Sequence, residues 1–155
     1  MGRVRPGRAV ARIADFVGPD RIVADVLLDQ RVAAGIGYVF KSEVLWACRL
    51  HPASPIGVVP AAQQRELFET AAGQLHANLT TSRRTTVPGP PGSLAAYRRA
   101  RRPCLRCGVG IRSAMLGEHQ RSTYWCPRCQ ERPVAAGRRL AVLRPSGDST
   151  SAPPT

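Results

Sequence analysis

Two short cysteine pairs constrain this chain more than anything else in it. Cys104 and Cys107 form one C-x-x-C, Cys126 and Cys129 form a second, and eighteen residues lie between them. This is the spacing of a four-thiolate zinc site, with each pair on a tight turn and a β-hairpin between the turns. Pro103 and Gly108 flank the first pair, and Pro127 sits inside the second. Such residues favour tight turns whose backbone N–H groups point at the thiolates. The competing readings are two disulfides, or thiols that are merely buried. Disulfides need an oxidising compartment, and no secretory apolar segment opens the chain. The fifth cysteine, Cys48, ends the apolar run Val44-Leu45-Trp46-Ala47-Cys48, where a free thiol packs as a small hydrophobe.

The charge is concentrated in the same region. The formal net charge is +13 over 155 residues. Residues 98–144 hold twelve arginines against Glu118 and Glu131, a net of +10, while residues 1–97 are net +4. Lys41 is the only lysine, which fits the arginine bias of a GC-rich genome. That bias explains arginine over lysine but not the imbalance of sign. A basic excess confined to one region is the electrostatic footprint of a polyanion partner. The hydrophobic fraction of 43% allows a core, and the aromatic fraction of 5% makes that core aliphatic. No stretch approaches the ~20 apolar residues that cross a bilayer, so a soluble, cytoplasmic chain with no membrane partner is expected.

Periodicity predicts a mainly α fold followed by a small zinc-stapled β-hairpin. A first helix is expected over 9–17, with Val10, Ile13, Ala14 and Val17 on one face. Gly18-Pro19-Asp20 breaks it, and Asp20 is the expected N-cap of a second helix over 21–30, with Ile22, Val26 and Leu27 inward. Gly35-Ile36-Gly37 is a turn signal, and a third helix over 38–49 stops at His51-Pro52. Pro60 opens a longer helix to about residue 79, with Leu67, Phe68, Ala71, Ala72, Leu75 and Leu79 on one face. The expected division is a helical domain over 1–80, a linker over 81–102, a zinc finger over 103–132 and a disordered tail over 133–155.

Residues 24–52 read physically as helix, glycine turn, helix. N–H groups at Gly35, Gly37 and the start of the next helix can grip a phosphate, helped by the helix dipole. An ordinary helical hairpin accounts for the pattern equally well. The wording goes further. Leu28-Asp29-Gln30-Arg31-Val32-Ala33-Ala34-Gly35-Ile36-Gly37, followed by Ser42-Glu43, resembles the helix–two-turn–helix motif of the formamidopyrimidine-DNA glycosylase and endonuclease VIII family. Arg102-Pro103-Cys104 to Cys107-Gly108, and Arg121-Ser122-Thr123-Tyr124-Trp125-Cys126-Pro127-Arg128-Cys129-Gln130, are similar to that family's zinc finger. The match spans roughly 13–132 and looks closest to the actinobacterial endonuclease VIII-like branch.

The resemblance implies roles for particular residues. Cys104, Cys107, Cys126 and Cys129 would hold Zn2+. Arg121 would grip phosphates at the lesion, and the backbone amides of Gly35 and Gly37 would face a phosphate. Gln30 and Glu43 would frame the two helices. Tyr38 stands where the family usually has an asparagine that contacts phosphate, and Lys41 joins it among the expected DNA contacts. The family's N-terminal β-sandwich, with its proline nucleophile and glutamate acid/base, is absent from this reading. Pro6 is internal, with an amide nitrogen, and no glutamate precedes Glu43.

The expected function is therefore a DNA-binding module of base excision repair, acting on double-stranded DNA, damaged or abasic, with no catalytic residue of its own. It would be nucleoid-associated when bound, with a repair protein as a further expected partner. Two alternatives stay open. One is a glycosylase or abasic-site lyase using Lys41, the α-amine or Cys48, or a partner-supplied catalytic domain. The other is a zinc-ribbon protein of RNA or the ribosome.

Overall fold

Pro6 opens α1 (Pro6–Phe16), where its missing N–H is one the first helical turn does not need. The computed structural model describes residues 3–132, and the tail expected over 133–155 lies outside them. After α1 come α2 (Val23–Leu28), α3 (Tyr38–Ala47), a 3₁₀ turn at Ile56–Val58, and α4 (Ala61–Ala77). The hairpin follows as β1 (Arg112–Leu116) and β2 (Arg121–Trp125). Among the described residues no helix is long and apolar enough to cross a membrane.

The helices sit close to their expected spans, and the differences have physical causes. α1 buries Ala9 and Ile13, and Val10 and Val17 pack against the core, so of the face expected only Ala14 is left exposed. Asp20 does not cap α2, whose N-cap is Ile22 without a side-chain bond. The preceding backbone pairs instead with a distant segment: Ile56 N–H donates to Arg21 O at 2.8 Å and Gly57 N–H to Pro19 O at 2.9 Å. Gly57 is required there, because a Cβ would lie 2.8 Å from the Cβ of Pro19. α4 buries Leu67, Phe68 and Ala71, but it ends at Ala77, which leaves Leu79 72% exposed.

α1 and α3 both pack on α4, and α2 packs on α3. The core between them is aliphatic with Phe40 and Phe68 inserted. Removing the Phe68 ring from such a site costs roughly 3–5 kcal/mol. α3 is the central element. Phe40, Val44 and Leu45 face the core, yet the consecutive polar residues Lys41, Ser42 and Glu43 are buried as well. Their partners lie in two other segments, and these contacts hold the rest of the molecule to the helices.

One of those segments is the stretch expected to be a linker. Both amide atoms of Asn78 engage Thr85, with Nδ2 donating to its carbonyl at 2.9 Å and Oδ1 accepting its N–H at 2.9 Å. Ala95 and Ala96 are fully buried. Beyond them, β1 and β2 pair antiparallel from Arg112↔Trp125 to Leu116↔Arg121. The hairpin packs on α3 through β2. At its base the buried His51 meets Trp125 edge to face at 5.4 Å. Burial pushes His51 down to about 3, with Arg132 adding to the effect, and its neutral Nδ1 accepts the Ala53 N–H at 3.0 Å.

Candidate metal centre and nucleic-acid interface

The two C-x-x-C turns converge at the open end of the hairpin. The four sulfurs lie within 4.8 Å of one another, with Cys104–Cys129 at 3.9 Å and Cys107–Cys126 at 3.5 Å. A zinc ion about 2.3 Å from each sulfur of a tetrahedron needs sulfurs about 3.8 Å apart, so the geometry fits. None of the five cysteines is in a disulfide. Gly108 makes the first turn possible at φ +82°. Backbone N–H groups of Arg106 and Cys129 point at the sulfurs of Cys104 and Cys126, each at 3.3 Å. The chain binds zinc at this site. Burial pushes the Cys126 thiol up to about 12. Cys104 is drawn down to about 6 against its own burial by the N–H groups of Cys107, the Trp46 indole and Arg106.

Three residues around the metal carry roles that local sequence does not announce. Trp46, on α3, donates its indole N–H to Cys104 Sγ at 3.3 Å. Arg106, inside the first pair, lies 3.8 Å from the Trp46 ring centroid and donates to the Trp46 carbonyl at 3.0 Å. Gln130 is fully buried. Its Oε1 accepts the Cys126 N–H at 2.8 Å and its Nε2 donates to Leu50 O at 3.0 Å. In the sequence Trp46 reads as one apolar residue among several, and the only signal at Gln130 was its place directly after Cys129.

At the other end of α3 the glycine turn is pinned from within. Gly35 has φ +98°, which glycine alone adopts readily. Its N–H donates to Gln30 Oε1 at 3.0 Å, so this amide is already satisfied inside the turn. That departs from the expectation that it faces a phosphate. Gly37 is the N-cap of α3, and no side chain caps the helix. The first N–H groups of a helix have no acceptor within it. Asp29 ties the adjoining turn together: Arg31 and Arg21 hydrogen-bond its carboxylate and hold it well below the usual range against the effect of burial. Arg21 also reaches Glu118, and Asp25 accepts the Glu118 N–H at 3.1 Å, which docks the hairpin tip on α2.

The predicted contact residues fall into two groups. Tyr38 and Arg121 are exposed, with the guanidinium 5.0 Å from the Tyr38 ring centroid. Lys41 is only 1% exposed and lies under the hairpin. Its ammonium donates to Thr123 Oγ1 at 2.9 Å and to Ser122 O at 3.3 Å. Burial lowers it to about 8, with Asp25 opposing and Arg121 adding to the shift. Lys41 therefore braces the strand that carries Arg121 rather than meeting solvent.

Glu43 is equally buried. Its carboxylate accepts the Thr86 hydroxyl and the N–H groups of Ala95, Ala96 and Tyr97, the last three at 2.8 Å. The Cys48 thiol contacts Thr70 Oγ1 at 3.4 Å, and burial pushes it up, as suits a packed side chain.

Two family models match the chain. The formamidopyrimidine-DNA glycosylase H2TH domain matches residues 11–87, and the zinc finger found in FPG and IleRS matches residues 102–132. The chain is 43% identical over 129 residues to the probable endonuclease 8 2 of Streptomyces coelicolor, covering 82% of this chain and 47% of that protein. It is 40% identical over 122 residues to the formamidopyrimidine-DNA glycosylase of Methylococcus capsulatus, covering 73% and 44%. The crystal structure of MutM (FPG) from Thermus thermophilus superposes with a TM-score of 0.68 at 25% identity, over 84% of this chain and 51% of that one. Lactococcus lactis Fpg in complex with abasic-site DNA has the same fold, with a TM-score of 0.69 at 21% identity over 83% and 48%. The chain spans about half the length of the curated relatives it matches.

Proposed function

The chain belongs to the formamidopyrimidine-DNA glycosylase and endonuclease VIII family, and on that premise we propose that it is a DNA-binding module of base excision repair that grips duplex DNA without excising bases by itself. One observation carries the reading. The Arg121 guanidinium lies 5.0 Å from the ring of Tyr38, the first residue of the uncapped α3, which brings a fixed cation near backbone N–H groups at an exposed edge. Helix N-termini and arginine forks both suit phosphate oxygens. Lactococcus lactis Fpg is in complex with abasic-site DNA, and abasic duplex is the form we carry over to this chain.

The same site argues against chemistry by the described residues. An abasic-site lyase needs an unprotonated amine at the sugar and a carboxylate to move protons. Lys41 is the only lysine, and although burial lowers it to about 8, that same burial keeps it from a sugar. Glu43 has both oxygens occupied by hydrogen bonds. Both side chains serve the fold, and Lys41 braces the strand that carries Arg121.

Binding of the zinc-loaded chain to abasic and intact duplexes, measured against salt, tests the proposal. Affinity should fall steeply with salt through counterion release. Arg121→Ala should weaken binding by roughly 1–3 kcal/mol, the range of a lost charge-assisted hydrogen bond. Undetectable binding at low salt, or an Arg121→Ala variant that binds like the parent, would sink it. Rapid borohydride trapping on abasic duplex would favour the lyase alternative.

A further inference from the structure

Arg98 and Arg101 have φ of +61° and +69°. This left-handed region is strained for any side chain with a Cβ, and glycine is the residue that enters it freely. Packing does not explain arginine at these positions, because both are exposed, as is Arg102 beside them. Strain retained at an exposed position points to a function for the side chain that is displayed.

The loop is held rigidly enough to impose that conformation. Glu43 binds the N–H groups of Ala95, Ala96 and Tyr97 on one side. On the other, Arg101 N–H donates to Ile111 O at 2.7 Å and Ile111 N–H to Arg102 O at 2.9 Å. Arg99 spans the loop, donating to Ala95 O at 2.8 Å and Pro103 O at 2.9 Å. Arg99 is therefore a structural clamp, and its three neighbours are displayed. No carboxylate pairs with Arg98, Arg101 or Arg102 among the described residues, and no acidic residue occurs from 95 to 117. Arg98 lies 5.4 Å from the Tyr97 ring centroid, and Tyr97 meets Tyr124 of β2 edge to face at 5.3 Å, so the display is continuous with the hairpin.

We propose that Arg98, Arg101 and Arg102 form a second grip on the sugar–phosphate backbone of duplex DNA, distinct from the edge at Arg121, and that the strained backbone is how two of them are presented. The loop joins the base of the hairpin, while Arg121 is at its tip. Five residues of strand separate these ends by roughly 13 Å. Successive phosphates of one DNA strand advance about 3.4 Å along the axis, so this separation corresponds to about four phosphates along one strand. This surface rests on the DNA-binding reading above and extends it to a second contact.

Strain and charge make opposite predictions for one substitution, which gives a sharp test. In the full chain, Arg98→Gly combined with Arg101→Gly relieves the backbone and removes two cations. The midpoint of thermal unfolding should rise by about a few degrees. Affinity for intact duplex should fall roughly tenfold at moderate salt, and the slope of log affinity against log salt should shrink by about two. Arg98→Lys combined with Arg101→Lys keeps both charge and strain, and should keep the slope. If the glycine variant binds with unchanged affinity and slope while Arg121→Ala still weakens binding, this surface is refuted and the DNA-binding reading stands. A parent chain that fails to bind at all removes both. A lower unfolding midpoint for the glycine variant overturns the strain argument, and a loss confined to duplex RNA reassigns the surface and overturns the proposal.

Discussion

Between α1 and α4 a broad apolar cluster is buried, among it Val23, Leu27, Leu45, Leu67 and Phe68, whereas the hairpin's own buried cluster is Cys104, Ile111 and Cys126. The helical region can hold itself together by burial. The hairpin has two thiols and one isoleucine at its centre, too little apolar surface for a stable unit without a metal. The seam between the two regions is different again, because it is polar and buried. Lys41 bonds Thr123, Ser42 accepts the Tyr124 N–H, Gln130 bonds Leu50 O, and Trp46 bonds Cys104. Buried polar contacts of this kind stabilise only when every member is matched, so they fix one docking geometry more than they add stability. An expendable linker and a freely swinging finger are not what this seam describes.

Removing the metal should separate the regions most strongly. Cys126→Ser leaves three thiolates, and the parent's stoichiometry of about one zinc per chain should be lost. Structural zinc sites supply on the order of 10 kcal/mol, far more than the hairpin's small cluster can replace. Amide exchange should then show β1 and β2 unprotected while α1, α3 and α4 keep protection. Lys41 reports on the seam. Once Thr123 and Ser122 leave, its ammonium is rehydrated, and its pKa should rise from about 8 toward the ordinary 10.5. Full zinc occupancy in the variant, or a Lys41 titration that does not move, would mean that the two regions are not held by different means.

A second substitution probes the other boundary. Glu43→Ala should cost roughly 3–5 kcal/mol, because buried donors at Ala95, Ala96, Tyr97 and Thr86 lose a charged acceptor together. Zinc should remain bound, since Glu43 touches no cysteine turn. Denaturant unfolding of the zinc-loaded chain reads the loss. A cost below about 1 kcal/mol would mean that the 95–97 segment is held by something other than this carboxylate.

What was legible in the sequence follows from how local each determinant is. Metal spacing is local, because a C-x-x-C turn must bring two sulfurs to one ion, and the four cysteines could be read directly. Helix existence is nearly as local, carried by periodicity and by breaks such as Gly18-Pro19. Helix ends were less so, since Asp20 has the right chemistry for a cap but pairing with residues 55–57 moves the start of α2 to Val23. Lys41 carries no local sign of burial, because its partner Thr123 is 82 residues away. A proline- and glycine-rich stretch signals the absence of helix and strand, not the absence of packing, so Ala95 and Ala96 gave no hint of Glu43 more than 50 residues earlier. Gly35 was readable as a turn, but the capture of its N–H by Gln30 depends on a side-chain conformation that composition does not encode.

The smallest expected effect tests whether the metal and the helices are coupled through one hydrogen bond. Trp46→Phe keeps a smaller ring for Arg106 to stack on and removes the indole N–H that Cys104 accepts. A thiolate that loses a donor carries more uncompensated charge, and partners that orient metal ligands typically contribute 10–100-fold to metal affinity. Two backbone donors also serve the sulfurs, from Arg106 and Cys129, so the effect should fall at the low end, about tenfold. Competition with a chromophoric chelator measures the affinity, and circular dichroism checks that α3 is intact. Substituting NMR-active cadmium into the parent gives an independent reading, because a coupling between the Trp46 indole proton and the metal passes only through an N–H···S bond. An unchanged affinity with no such coupling would leave Trp46 as packing alone, and the seam would then be joined to the metal turns through Gln130 and the Arg106 bond to the Trp46 carbonyl.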